Sequence, residues 1–367
     1  MTESTVTERL KARIRETGPI SIAAFMGEAL FHPRDGYYAT KNPIGAGEDF
    51  ITAPVISQMF GELIGLWSAQ IWMDMGRPSP FHLVELGPGT GTMMADGLRA
   101  ARAVDGFAAG ASVTLIEASA ALKAVQARTL GDSGVALRWA DGLEKVKPGP
   151  AIIWGNEFLD CLPVRQAVRK DDVWHERLVG FVPDDENTLA YVLGPPLGQD
   201  DALVPDRLTD APDGSLVELR PGDRQLVDAL ANRFGQSPGV ALFIDYGPAQ
   251  SETGDTLQAI RSHEKVDPLS EPGTADLTAR VDFESLASAA RDAGLTVSGP
   301  VTQGAFLTGL GIEARAAALL RANPGRKADI ARQLWRLTDP GQMGDLFKVI
   351  AIGAPDMPQL PGFDRPG

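Results

Sequence analysis

The chain has 367 residues, 44% hydrophobic and 22% charged, the composition of a globular protein with room for one large core plus an elaboration, or for two domains. A formal net charge of -14 and an isoelectric point near 4.8 exclude the diffuse attraction to phosphate backbones that nucleic-acid binding rests on. One cysteine, Cys161, excludes an intrachain disulfide, and four scattered histidines show no metal-ligand spacing, so no protein-held metal is expected.

The first residues, MTESTVTERLKARIRETG, alternate charge and lack the apolar core of a signal peptide. No run elsewhere approaches the ~20 apolar residues of a membrane span, and the expectation is a cytosolic protein. Val6, Leu10 and Ile14 recur every four residues, which predicts a short amphipathic helix stopped at Gly18-Pro19, and a second helix follows from Ser21 to about Leu30. Residues 31 to 54 are dense in Gly, Pro, Asp and aromatics and read as a long irregular segment. Tyr37 and Tyr38, with Phe50, Thr52 and Pro54, are candidates for a lid over a bound nucleoside or substrate; anchoring to a core is the plainer alternative. Ser57 is placed to cap a helix whose Phe60, Leu63, Ile64, Trp67 and Ile71 keep a helical period.

From residue 82 strands alternate with helices: FHLVELG, a helix from about Gly91 to Ala103, SVTLIEAS, a helix from about Ala120 to Leu130, VALRWAD and AIIWGNE. That order predicts an α/β fold with a parallel sheet. Residues 164 to 220 change to short β-like pieces, consistent with an inserted antiparallel unit. A helix at 222 to 235 and the strand VALFIDYG resume the pattern; a helix at 282 to 293, strand LTVSGPV, a helical stretch from 304 to 337 and strand FKVIAI follow. Only the final PDMPQLPGFDRPG reads as disordered. The implied division is 1–80 for N-terminal helices and lid, 81–163 with 236–352 for the core, 164–235 for a substrate-side insert and 353–367 for a tail.

LVELGPGTG carries the chemistry. Gly87, Pro88, Gly89 and Gly91 form a turn between a buried strand and a helix, where glycine lets the backbone approach a ligand. The dinucleotide pattern GxGxxG needs glycine at 92, but that residue is Thr92. Glu85 before the turn suits a ligand cationic group. Glu117 ends the second strand, where an acid accepts hydrogen bonds from ribose hydroxyls; Asp141-Gly142 ends the third, beside an adenine amino group; Asn156-Glu157 ends the fourth. Each alone is equally a cap or a tight turn, but the ordered set describes S-adenosylmethionine better than NAD. A nucleotide-dependent oxidoreductase and a non-catalytic cofactor-binding assembly factor are the alternatives.

Together with ELGPGTG, the strings NEFLDCLP, PRDGYYATKNPIGAGEDFITAPVISQMFGE (33 to 62), FIDYG (243 to 247), DPLSEPGTADLTARVDF (267 to 283) and TQGAFLTGLGI (302 to 312) resemble the MidA-like family of class I S-adenosylmethionine-dependent methyltransferases, over most of the chain. The resemblance implies a Rossmann-like, seven-stranded, mostly parallel sheet with an N-terminal helical extension and an inserted α+β subdomain over the cofactor edge. It implies a protein substrate, because the family includes a mitochondrial member that methylates an arginine of a respiratory complex I subunit. Val55 and Gln258 depart from the family pattern, which leads one to expect an acid and an arginine there. If the nucleophile is a guanidinium, carboxylates must orient it and take a proton, and Glu157 and Asp160 directly after the fourth strand are the candidates; the plainer reading of Asp160 is a cap. His263, in RSHEKVDP, is a candidate proton carrier or substrate contact, against an ordinary surface or core histidine.

Overall fold

The computed structural model describes residues 5–40, 52–198, 203–355, 357, 358 and 360–363. Its centre is a seven-stranded sheet: β1 (Phe81–Leu86), β2 (Ala111–Ile116), β3 (Leu137–Ala140), β4 (Ala151–Asn156), β5 (Gly239–Tyr246), β6 (Thr296–Thr302) and β7 (Phe347–Gly353). The spatial order is β6-β7-β5-β4-β1-β2-β3, with β3, β2, β1, β4 and β5 parallel and β7 antiparallel to both its neighbours. β4 and β5 read AIIWGN and GVALFIDY because helices cover both faces of the sheet, which removes the polar alternation of a half-exposed strand. The order reverses beside β1, between β2 and β4, and at that point crossovers leave on opposite faces and open a crevice.

One apolar layer packs the sheet against helices Gln58–Asp74 and Thr92–Ala101 and the C-terminal helices Ile312–Ala322 and Lys327–Thr338. The other packs Pro221–Phe234 and Phe283–Asp292 on the opposite face. In the first layer two helices nearly touch. A Cβ on Gly65 would overlap the backbone of Gly97, and one on Gly97 would press on the Trp154 ring of β4 at 2.7 Å. The same helix pair is tied by Glu62, a carboxylate only 1% exposed that receives Arg99 at 2.5 Å and Arg315 at 2.6 Å. Burial works against its charge, but hydrogen bonds from Arg315 and Arg99 outweigh burial and hold the Glu62 carboxyl below its usual range.

The predicted helices at the N-terminus form at Val6–Thr17, inside a capping box of Thr5 and Glu8, and at Ile22–Phe31, capped by Ser21. Val6, Leu10 and Ile14 are buried as their spacing requires. Between them the chain adds a short strand, Ile20–Ser21, beside Val173–Val182, a strand of the inserted antiparallel sheet. These helices share one core with Val164, Val179, Leu257 and Leu277. Leu277 belongs to, and Leu257 directly precedes, a three-stranded sheet of Gln258–Arg261, Glu264–Val266 and Asp276–Thr278, which sequence periodicity does not reveal because its strands are short and lie among Gly, Pro and charged residues. N-terminal helices, insert and small sheet thus form one wall over the carboxyl ends of the strands.

The expectation of a disordered C-terminal tail is corrected for its described residues. Leu360 and Phe363 are buried, the Phe363 ring lies 5.2 Å from Phe306, and Trp67 Nε1 donates to the carbonyl of Pro361 at 3.1 Å. Apolar residues between prolines here fill a gap between helices. Phe50 lies outside the described residues.

The helix contact predicts a contrast between two glycines. Gly65→Ala destabilises the fold by about 3 kcal/mol, since the neighbour is backbone and cannot give. Gly27→Ala, in the interior of helix Ile22–Phe31 with no atom near the added methyl, stabilises by about 0.5 kcal/mol. Chemical denaturation of both variants checks this; equal effects would refute it.

Candidate active site

After Leu86 the chain turns through Gly87 (φ +60°), Pro88, Gly89 (φ +52°) and Gly91 (φ +78°) into helix Thr92–Ala101. Three left-handed residues in five explain the glycines, because a Cβ disfavours that region. Gly87 also lies close beneath Phe158, whose ring a Cβ would meet at 3.2 Å. Gly91 is turned away from the crevice, toward Gln126 and Leu130, so it shapes the loop and does not line the cavities below.

Two cavities adjoin over the strand ends. The larger, about 400 Å³, is lined by Tyr38, Thr52, Gly87, Gly89, Glu117, Asp141, Gly142, Glu157, Asp160 and Asp276 among others. The smaller, about 60 Å³, lies among Thr52, Pro54, Glu85, Pro88, Asn156 and Glu157. Every other candidate cofactor residue read from the sequence faces one of the two, and Glu157 faces both. His263 faces neither. It occupies the exposed turn (φ +64°) of the hairpin joining Gln258–Arg261 to Glu264–Val266, and the catalytic role suggested for it is corrected on that ground.

The glycine loop and the acid at the end of β2 are joined by a residue that no sequence motif marks. Buried Gln126 donates to Gly89 O at 2.8 Å and to Glu117 Oε2 at 3.0 Å, and accepts from Trp139 Nε1 of β3 at 2.8 Å. Glu117 Oε1 accepts the Ser119 N–H at 2.8 Å. Burial pushes the Glu117 carboxyl up and these hydrogen bonds work against it. Asp141 stands at the exposed rim.

At the inner end, Glu85 is 3% exposed and its Oε2 has no partner among the described residues; Asn156 Oδ1 is likewise buried without one among them. Burial alone pushes Glu85 up to about 8. Orphaned acceptors beside a glycine cradle are what an ammonium and hydroxyl-bearing ligand would satisfy, since buried polar atoms without partners are costly. These residues therefore fit S-adenosylmethionine.

The turn that follows β4 is held from two directions. Asp245, at the end of β5, accepts the N–H groups of Leu159 at 2.9 Å, of Asp160 at 3.2 Å and of Tyr246 at 2.9 Å. Arg220, fully enclosed and paired with Asp223 at 2.7 Å, donates to Leu159 O. Glu157 sits at the start of this turn in the left-handed region (φ +48°), unusual for a residue with a Cβ and a mark of a constrained site. Burial, then the charge of Asp160, pushes Glu157 up to about 7. Burial pushes Asp160 up to about 6 against hydrogen bonding by Tyr246 and the charge of Arg220. Burial and the charges of Asp160 and Glu157 push Asp245 well above the usual range. Asp245, Tyr246 and Arg220 were not identified from the sequence; the only signal was an acid in the otherwise apolar strand FIDYG.

Comparison with known proteins agrees with this geometry. The family model of S-adenosyl-L-methionine-dependent methyltransferases matches residues 63–301. The protein arginine methyltransferase NDUFAF7 homolog of Drosophila melanogaster is 38% identical over 95% of this chain and 84% of its own length. The corresponding protein of Danio rerio is 35% identical over 95% and 86%. A solved structure from Burkholderia thailandensis bound to S-adenosyl-homocysteine is 28% identical, with a TM-score of 0.80 over 98% of this chain and 92% of that one. Both curated relatives are mitochondrial by name, which overturns the expectation of a cytosolic protein. Among the described residues no helix is long and apolar enough to cross a membrane. The sheet order, the glycine cradle with its ordered acids and these matches leave no place for a dinucleotide oxidoreductase, and the chain belongs to the family of S-adenosylmethionine-dependent methyltransferases.

Proposed function

We propose that the enzyme methylates an arginine side chain of a protein. The observation that carries this reading is the charge of the larger cavity: its described lining includes five carboxylates, Glu117, Asp141, Glu157, Asp160 and Asp276, and no lysine, arginine or histidine. Glu117 and Asp141 lie on the β2 and β3 side, where the nucleoside belongs. Glu157, Asp160 and Asp276 lie on the other side, and three acids there call for a substrate that is itself a cation. The names of the curated relatives, protein arginine methyltransferases, support guanidinium over ammonium. The resemblance to the complex I assembly factor makes a complex I subunit, or a partner in its assembly, the first substrate to try.

Glu85 and Asn156 would hold the amino acid end of the cofactor, Glu117 its ribose and Asp141-Gly142 its adenine. When bound, S-adenosylmethionine supplies a methyl group already activated by its positive sulfonium. The work left to the protein is alignment, exclusion of water and charge. A guanidinium stays protonated on its own and offers paired N–H donors in a plane, so Glu157 and Asp160 fix its orientation by charge-assisted hydrogen bonds. Transfer would break the S–CH3 bond, its electron pair staying on the departing thioether, as the N–CH3 bond forms; the nitrogen is left with one proton too many, which Glu157 or Asp160 would accept.

Two outcomes check these roles. Both acids must be ionised to hold a cation, and burial places their titrations near pH 6 to 7, so kcat/KM climbs with pH through that window and levels off above it. Glu157→Gln lowers the rate by about a hundredfold or more and removes the upper part of the ascent. A variant still transferring tritiated methyl groups at the parent rate would sink the assignment. Labelled methylarginine recovered after acid hydrolysis of an acceptor protein extract supports the substrate class; label in methyl-lysine alone overturns it.

Glu85 gives a third outcome. Its folded pKa near 8 exceeds its ordinary 4.5, so the folded state retains a proton that the unfolded chain has released. The stability it allows is complete below about pH 4.5 and declines as pH rises toward 8. Ligand-free Glu85→Gln therefore melts above the parent at pH 8, while its calorimetric affinity for S-adenosylmethionine falls about tenfold or more, some 1.4 kcal/mol. Unchanged affinity would remove Glu85 from the cofactor site.

A further inference from the structure

Asp276 was given no role by the sequence, yet it is 5% exposed and lines the same cavity as Glu157 and Asp160. It opens the strand Asp276–Thr278 and pairs with Ile260 of the neighbouring strand, so its backbone is fixed by the small sheet. Tyr38, from the short helix Tyr37–Thr40 of the N-terminal extension, donates its hydroxyl to Asp276 Oδ1 at 2.8 Å. Tyr38 is itself clasped by Phe31 and Tyr37, with ring centroids 5.6 and 5.3 Å away. Burial, then the charges of Asp276, Cys161 and Asp160, pushes the Tyr38 hydroxyl well above its usual range. Asp276 is joined to the turn after β4 by the chain as well, because Ala279 N–H donates to Asp160 O at 2.9 Å.

Two carboxylates from different elements, facing one slot, suit a group with donors on more than one edge. A guanidinium has five N–H donors in a rigid plane; an ammonium is a point charge on a flexible stem. We infer that Asp276, set by the Tyr38 hydroxyl, is a substrate-binding residue that takes the edge of the arginine guanidinium remote from Glu157 and Asp160. This rests on the arginine reading above and adds its specificity: the small sheet and the N-terminal extension, not the cofactor core, select arginine over lysine. Tyr38 then acts as a positioning residue for Asp276, beyond any contact with the nucleoside.

The test compares the parent with Asp276→Asn and Tyr38→Phe. Each is incubated with tritiated S-adenosylmethionine and a protein extract from cells lacking this chain, at limiting and saturating extract, and labelled methylarginine is counted after hydrolysis. S-adenosyl-homocysteine affinity is measured by calorimetry on all three. The expected result is a loss of about thirtyfold at limiting extract for Asp276→Asn and about fivefold for Tyr38→Phe, smaller losses at saturation, and cofactor-product affinity within about twofold of the parent. Asp276→Asn retaining more than a third of the parent's limiting rate, with the parent producing methylarginine, overturns the inference and leaves the arginine reading standing. A parent that yields no methylarginine overturns both. If Asp276→Asn fails to bind S-adenosyl-homocysteine through misfolding, Tyr38→Phe decides: a fivefold loss supports the inference, and an unchanged limiting rate refutes it.

Discussion

Asp245 accepts three backbone N–H groups, and on that arrangement the turn carrying Glu157 and Asp160 depends. Without an acceptor the buried amides of Leu159 and Asp160 would be stranded, at about 1–3 kcal/mol each, and the turn would have to open toward water. Arg220 fixes the same turn through the carbonyl of Leu159, and its own charge is balanced by Asp223. A carboxylate on β5, a guanidinium beside helix Pro221–Phe234 and the end of β4 thus lock one another. Glu157 can be held in a left-handed conformation because its neighbours have no alternative.

The electrostatics follow from that enclosure. Several carboxyls are drawn out of water around one crevice, and with no base in the described lining, burial pushes them upward. That arrangement is uncomfortable when empty, and ligand charge is the natural remedy. A cofactor with a sulfonium and an ammonium, and a cationic substrate, each bring the counterion that the fold omits. Desolvation thereby becomes a means of selecting positive ligands: attraction between fixed acids and a cation is stronger in an enclosed site than in solvent.

The walls of the crevice come from distant parts of the chain. Tyr38, Thr52 and Pro54 all precede the central sheet, and Asp276 lies beyond β5. Their convergence rests on apolar packing: Val6, Phe25 and Leu30 of the N-terminal helices share a core with Val179 of the insert and Leu277 of the small sheet. Burial of such side chains stabilises the wall by roughly 1.5–3 kcal/mol apiece. The substrate side is therefore built by the elaborations and the cofactor side by the sheet.

The sequence by itself determined the elements with a strong period and the residues whose chemistry is tied to a strand end. Buried strands, amphipathic helices with Ser21 or Ser57 at the cap, the glycine turn and the acids at 85, 117, 141 and 157 all announce themselves locally. Local rules govern them: pleat and helix periods, capping, and the freedom of glycine at positive φ. Tertiary structure alone decided the rest. The small sheet has strands of three or four residues, too short for a pattern, and forms because its residues complete a core shared with other parts of the chain. His263 lies in a family-like segment of sequence, yet it stands in an exposed turn. Gln126, Arg220, Asp245 and Asp276 look like any polar residue of a helix, loop or strand; their roles exist in hydrogen bonds that span up to 238 positions of sequence. A local window reads what the backbone does, whereas the desolvation of a carboxylate is set by everything folded over it.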